Sequence, residues 1–189
     1  MTTMRSPWRR RFVVGLGVLF ALMILSGCGG GDTPMRMQAG VELPEFTLPA
    51  LDGTSVSSAT FGRDGDVTVL NFWATWCQPC LKELPELKAV AANPRVSVVG
   101  VALDEEGAAS VGPFVARHGV RYRVLLGNQK IFQHLGGIGI PYTLVLDADR
   151  KVVSVYRGPA TGEQLNRDVT VAVAAADGSK DVRVASHHP

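Results

Sequence analysis

With only three cysteines, Cys28, Cys77 and Cys80, this 189-residue sequence is too poor in thiols to be a disulfide-dense secreted scaffold. Charged side chains, at 19%, fall below the share usual in soluble domains while hydrophobic content is an ordinary 46%, which excludes a wholly disordered or coiled-coil chain. No apolar run reaches the roughly 20 residues of a spanning helix. There is no internal repeat, and Arg121-Tyr122-Arg123 is too small a basic patch to predict nucleic-acid binding. The formal charge of +2 is equally uninformative about partners, because Arg5, Arg9, Arg10 and Arg11 lie in the first eleven positions. Without residues 1–27, 15 basic side chains face 17 acidic ones and the net charge is −2.

Those first residues read as an address. A basic start without acids is followed by Phe12 to Leu25, 14 residues without a charge, which is the pattern of a secretory signal rather than of a permanent anchor. Leu25-Ser26-Gly27-Cys28 then resembles the bacterial lipoprotein signal, in which the cysteine is lipidated and becomes the first mature residue. The resemblance implies lipidation at Cys28 and a domain held outside the cytoplasm. Gly29-Gly30-Gly31-Asp32-Thr33-Pro34 fits a flexible leash, so residues 1–27 are expected to be signal and 28–40 tether. Arg9-Arg10-Arg11-Phe12 faintly resembles a twin-arginine export signal.

From Val41 onward, short apolar runs alternate with helix-like segments, which predicts an α/β domain over 41–176. Asp52-Gly53 between Phe46–Leu48 and Ser55-Val56 predicts an opening hairpin. Val67–Trp73 is a β-branched and aromatic strand, and the following helix carries Leu84, Leu87 and Ala91 on one face. Val96–Leu103 is a near-continuous apolar strand, as expected where both sheet faces are covered. Ala108–His118 reads as a helix interrupted at Gly112-Pro113, Tyr122–Leu126 as a strand, and Asn128–Leu135 as a helix capped by Asn128. Thr143–Leu146 and Val152–Tyr156 flank a turn-rich tetrapeptide and predict an antiparallel pair. Thr161-Gly162-Glu163-Gln164 has capping-box form and predicts a closing helix to about Ala175, with 177–189 left as a loose tail.

The chemistry sits at Trp76-Cys77-Gln78-Pro79-Cys80, where the strong strand gives way to a helix. Two thiols one turn apart can form a disulfide. Unpaired amides and the helix dipole at a helix start stabilise the first sulfur as a thiolate, so Cys77 is the expected nucleophile and Cys80 the resolving thiol. A zinc site would need two more ligands. No second C-x-x-C exists, and His118, His134, His187 and His188 do not form the matching pair, so no metal is expected. A purely structural bridge closing so short a loop would stabilise little.

The segment Asn71–Cys80 resembles the active-site region of thioredoxin-fold proteins, and in particular of the membrane-tethered TlpA/ResA-like thiol-disulfide oxidoreductases; the likeness spans Val41 to Ala175. Pro85 falls where that family has a helix proline, and Gly139-Ile140-Pro141-Tyr142-Thr143 looks like its cis-proline loop. The resemblance implies a central mixed β-sheet flanked by helices, with an N-terminal hairpin and an extra strand and helix between Cys80 and Pro141. It implies substrate contacts by Trp76, Gln78, Pro79, Ile140 and Pro141, with the backbone of Ile140 pairing with an extended substrate. Asn71 stands where thioredoxin has a buried acid, while Glu83 matches a glutamate used by the ResA-like branch near its cysteines. On a helix Glu83 shares a face with Cys80, so it either assists proton transfer there or is a solvated acid like Glu86. Trp73 is expected in the core, and His118 and His134 in structural or surface roles.

The implied activity is reduction of protein disulfides, for example the haem-binding C-x-x-C-H of apocytochrome c or a copper-site assembly protein, with electrons from a membrane dithiol carrier and no cofactor beyond the cysteine pair. Two alternatives stay open at this point: a peroxidase of the same superfamily, and a copper-binding assembly factor using the pair with His134.

Overall fold

A computed structural model of the protein describes residues 35–62 and 67–185. Cys28, the glycine leash, the expected signal segment 1–27 and the last four residues lie outside the described residues. In chain order the elements are β1 (Thr47–Pro49), β2 (Ser55–Ser57), a 3₁₀ turn (Ser58–Thr60), β3 (Val67–Trp73), α1 (Gln78–Val90), β4 (Val96–Ala102), α2 (Ala108–His118), β5 (Arg123–Leu126), α3 (Gln129–His134), β6 (Tyr142–Leu146), β7 (Val152–Arg157) and α4 (Gly162–Ala185).

The five-stranded sheet runs β5-β4-β3-β6-β7. β3, β4 and β5 are parallel because helices carry the chain back between them, whereas β6 and β7 are antiparallel to their neighbours. The β6–β7 turn is built by Asp147, whose Oδ1 accepts from the amides of Asp149 and Lys151, both at 2.9 Å. β1 and β2 form a separate hairpin, joined to the sheet by the Ala50↔Leu125 bridge. This is the mixed sheet with an opening hairpin and an inserted strand and helix that the family resemblance implies.

Strand alternation sorts the core into two layers. Leu70 and Phe72 of β3 join Leu144, Leu146, Val101 and Phe132 on one face. Val67 and Val69 join Val145, Leu87, Val90, Leu165 and Val169 on the other, under α1 and α4. Burying each of these side chains contributes about 1.5–3 kcal/mol. The same alternation puts Asn71 and Trp73 on the α1 side. On α1 the buried positions are Cys80, Glu83, Leu84, Leu87 and Val90, so the inward stripe includes an acid.

Three boundaries differ from expectation. The ordered fold begins before Val41: the amide of Met35 donates to the His134 carbonyl at 2.8 Å, Gly40 donates to Val152, and Met37 is buried against the first core layer. The apolar Met37 was unreadable as core because nothing around it is periodic. The helix α2 runs through Gly112-Pro113 without a break, because only the one hydrogen bond Pro113 cannot donate is lost and Val111 still anchors the helix inward. α4 continues to Ala185 rather than ending at Ala175. Its start is the expected capping box, with Thr161 Oγ1 accepting from the Gln164 amide and Gln164 Oε1 from the Thr161 amide. Its buried stripe, Leu165, Val169, Ala172 and Ala176, extends past the expected end. Beyond it the single Gly178 costs only about 1 kcal/mol in a helix. No described helix is long and apolar enough to cross a membrane.

If residues 35–40 are part of the folded unit, Met37→Ala should lower the unfolding free energy by about 2–5 kcal/mol in a denaturant titration. A loss below about 0.5 kcal/mol, the usual size of a surface substitution, would return the segment to the tether.

Candidate active site

Cys77 and Cys80 are joined by a disulfide with Cα atoms 5.3 Å apart, at the point where β3 ends and α1 begins. Cys77 is the N-cap of α1: its backbone is extended, and its Sγ accepts from the Cys80 amide at 3.2 Å in the way a Ser or Asp oxygen would. The first sulfur is therefore the atom at which the helix start directs an N–H and its dipole. Pro79, within the first turn, has no amide to leave unsatisfied. Both cysteines are largely buried, while Trp76, Gln78 and Pro79 around them are exposed, Trp76 by 67%.

Ile140-Pro141 is cis. The register Phe72↔Tyr142 places Pro141 at the end of β3 from which the cysteine loop departs, and Ile140 packs against the cluster containing Cys77 and Cys80. Among the described residues no backbone hydrogen bond is made by Ile138, Gly139 or Ile140, whereas the Pro141 carbonyl accepts from Gly158 at 2.9 Å. That leaves free backbone groups on the bent segment beside the disulfide, able to pair with another backbone.

One helical turn from Cys80 along α1 lies Glu83, 1% exposed. Its Oε1 accepts from the Ala160 amide at 3.0 Å and from the Thr143 hydroxyl at 3.4 Å, and its Oε2 accepts from Asn71 Nδ2 at 3.2 Å. The same Asn71 nitrogen donates to Thr143 Oγ1 at 2.8 Å, and Asn71 and Thr143 are direct partners across β3 and β6. Glu83 is therefore no solvated helix acid. Burial pushes its carboxyl above the ordinary range of 4.5, outweighing the three donors that favour the ionised form. Tyr122 lies near enough to feel it: burial first, and then the Glu83 charge, raise the phenol well above its usual value. Trp73 is buried as expected and packs on Phe114, which in turn stacks on His118. His134 sits in the last turn of α3. Among the described residues no three His, Cys, Asp or Glu side chains gather where they could hold a metal ion.

The sequence from residue 38 to 175 matches the Redoxin family, which is well over half of the chain. The chain belongs to the Redoxin family. Thiol-disulfide oxidoreductase ResA of Bacillus cereus is 32% identical over 155 residues, which span 76% of this chain and 88% of that protein. Among solved structures, a thioredoxin-family thiol:disulfide interchange protein of Chlorobium tepidum is 29% identical with a TM-score of 0.59, covering 75% of this chain and 99% of that one. A secreted disulfide oxidoreductase of Mycobacterium tuberculosis, homologous to DsbE of E. coli, is 27% identical with a TM-score of 0.59, covering 67% and 95%. The fold is thus thioredoxin-like. With its Cys77–Cys80 pair, the protein is a thiol-disulfide oxidoreductase of the ResA/DsbE type.

One residue of this oxidoreductase escaped sequence reading. Asp104, buried at the end of β4, accepts from the Thr75 amide through both oxygens, at 3.1 and 3.2 Å, and also from the Thr75 hydroxyl. It pins Thr75, two residues before Cys77. In sequence it is the first of three consecutive acids opening a polar loop, and nothing there separates it from Glu105 and Glu106. For Glu83 a signal did exist: position 83 is three after Cys80 and four before Leu87, on the stripe that faces the core.

The raised Glu83 pKa has a sign for stability. A native state that holds its proton to higher pH than the unfolded chain is favoured below the unfolded value and loses that contribution as pH rises through the native one. In the disulfide form, where the cysteines do not titrate, the stability of wild type relative to Glu83→Gln should fall as pH rises above 4.5. Urea unfolding of both proteins across that window checks this, and parallel curves would contradict it.

Proposed function

We propose that this oxidoreductase works in the reducing direction outside the cytoplasm, tethered to a membrane by a lipid on Cys28. The disulfide capping the start of α1, with the buried Glu83 carboxyl one helical turn from Cys80, carries the reading. In the reduced protein the Cys77 thiolate, favoured by the helix amides, attacks one sulfur of a substrate disulfide. A mixed disulfide forms and one substrate thiolate leaves. Cys80 loses its proton and attacks the Cys77 sulfur, which forms the Cys77–Cys80 bond and releases the second substrate thiolate. Two electrons pass to the substrate, whose two thiolates take up protons. Glu83, one helical turn from Cys80 and with a carboxyl pKa raised by burial, accepts the Cys80 proton. The pair itself stores the electrons, so no further cofactor is required. A membrane dithiol carrier returns the pair to its reduced form.

Trp76, Gln78 and Pro79 form the exposed rim, and Ile140 with Pro141 presents the edge on which the substrate chain lies. Substrates of the class expected from the sequence, the C-x-x-C-H of apocytochrome c or a copper-site assembly protein, expose cysteines on a flexible segment that such an edge can hold. Export is supported by the apolar segment and the Leu25–Cys28 motif, and by the secreted state of the M. tuberculosis relative.

The reduction potential of the residue 28–189 domain tests the direction. Thioredoxin-like pairs span about −270 to −120 mV, and a reductase is expected toward the low end. A value near −120 mV would make the protein an oxidant and overturn the reductive reading.

A further inference from the structure

Beside the disulfide opens a cleft of about 420 Å³, and its lining is of two kinds. One side is apolar, with Trp76, Ile140, Phe132 and Ile138, the last 89% exposed. Glu105 and Glu106, both exposed, line the cleft as well. Three large apolar side chains of the described residues are strongly exposed, and two of them, Trp76 and Ile138, face this one cleft. No basic residue lines it; Lys130, next to the lining Gln129, does not. The neighbouring acid Asp104 is turned inward onto Thr75, so the rim charge belongs to Glu105 and Glu106.

The position of these carboxylates is tied to the chemistry. Asp104 holds the loop that presents Trp76 and Cys77, and the two exposed acids follow it directly in the chain. A polypeptide lying along Ile138–Ile140 with a cysteine at Cys77 would therefore place its neighbouring side chains between an apolar wall and a doubly negative rim. A Lys or Arg side chain suits both, since its aliphatic stem covers apolar surface while its charged head reaches a carboxylate. An acidic side chain at the same place meets like charge.

Building on the reductive reading above, we propose that this cleft selects disulfides in extended polypeptide segments that carry a basic residue close to the attacked cysteine. Glu105 and Glu106 are the specificity-determining residues. The apolar wall holds the aliphatic part of the segment, and the charges choose among segments that the wall would accept alike.

The experiment uses the reduced domain and two synthetic peptides of one sequence with an internal disulfide, flanked by Lys in one and by Glu in the other. Second-order rate constants of thiol transfer are measured for wild type and for the E105Q/E106Q double variant, with circular dichroism confirming that both fold. Wild type should reduce the Lys peptide about tenfold faster than the Glu peptide at low salt. The preference should shrink in roughly 1 M salt, where screening acts over about 3 Å. In the double variant the Lys-to-Glu ratio should approach one. Equal rates in wild type, or a ratio that survives in the double variant, would overturn the proposal. A neutral small disulfide, hydroxyethyl disulfide, separates the two levels: if wild type reduces it but shows no charge preference, only the specificity fails, and if wild type reduces none of the three compounds, the reductive reading fails with it.

Discussion

The constraint on which the site depends is a carboxyl group buried one helical turn from Cys80. Glu83 is reached by an amide from the loop before α4, a hydroxyl from β6 and a side-chain amide from β3, so a single side chain on α1 is tied to three other parts of the fold. Those donors are directional, and they hold α1 at a fixed rotation and height against the sheet. The same rotation brings Cys80 inward on the buried stripe. Taking the carboxyl out of water is costly unless it keeps its proton, and that cost is what raises its pKa. Anchoring the helix and the raised carboxyl pKa are thus two consequences of one burial.

Around this anchor the first turn of α1 is fixed from both sides. Cys77 caps the helix with its own sulfur, and Asp104 clamps Thr75 just upstream, so the reactive segment is held at β3, β4 and α1 together. The cis Ile140-Pro141 bond and the antiparallel β6 bring a second piece of chain to the same end of the sheet, since Tyr142 pairs with Phe72. Parallel strands deliver the cysteine loop, and antiparallel ones deliver the edge beside it. The mixed sheet is what allows a helix start and the cis-proline loop to meet at one disulfide.

Much of this was readable from residues. The β-branched run Val67–Trp73, the turn at Asp52-Gly53, the Asn128 cap and the Thr161–Gln164 box are local signals, and each gave the element observed. The cysteine pair was legible because a strand-to-helix junction is itself a local pattern. What stayed hidden depends on contacts distant in sequence. Met37 is core because its segment is tied by Met35 to His134 and by Gly40 to Val152, both far along the chain, and its own flanks carry no period. Asp104 is distinguishable from Glu105 and Glu106 only once Thr75 is beside it. Asn71 looked like a missing acid; the structure shows the acid supplied by α1, with Asn71 serving as its donor.

The most direct test of this account is the pH dependence of alkylation of the reduced cysteine pair in wild type and Glu83→Gln, followed together with the rate at which Cys80 resolves a mixed disulfide. A buried carboxylate opposes a second negative charge nearby and supplies a base for the Cys80 proton. Removing it should let Cys80 ionise at lower pH while slowing resolution at neutral pH. Superimposable alkylation profiles with unchanged resolution kinetics would show that Glu83 only anchors the helix, and would contradict its place at the centre of the redox site.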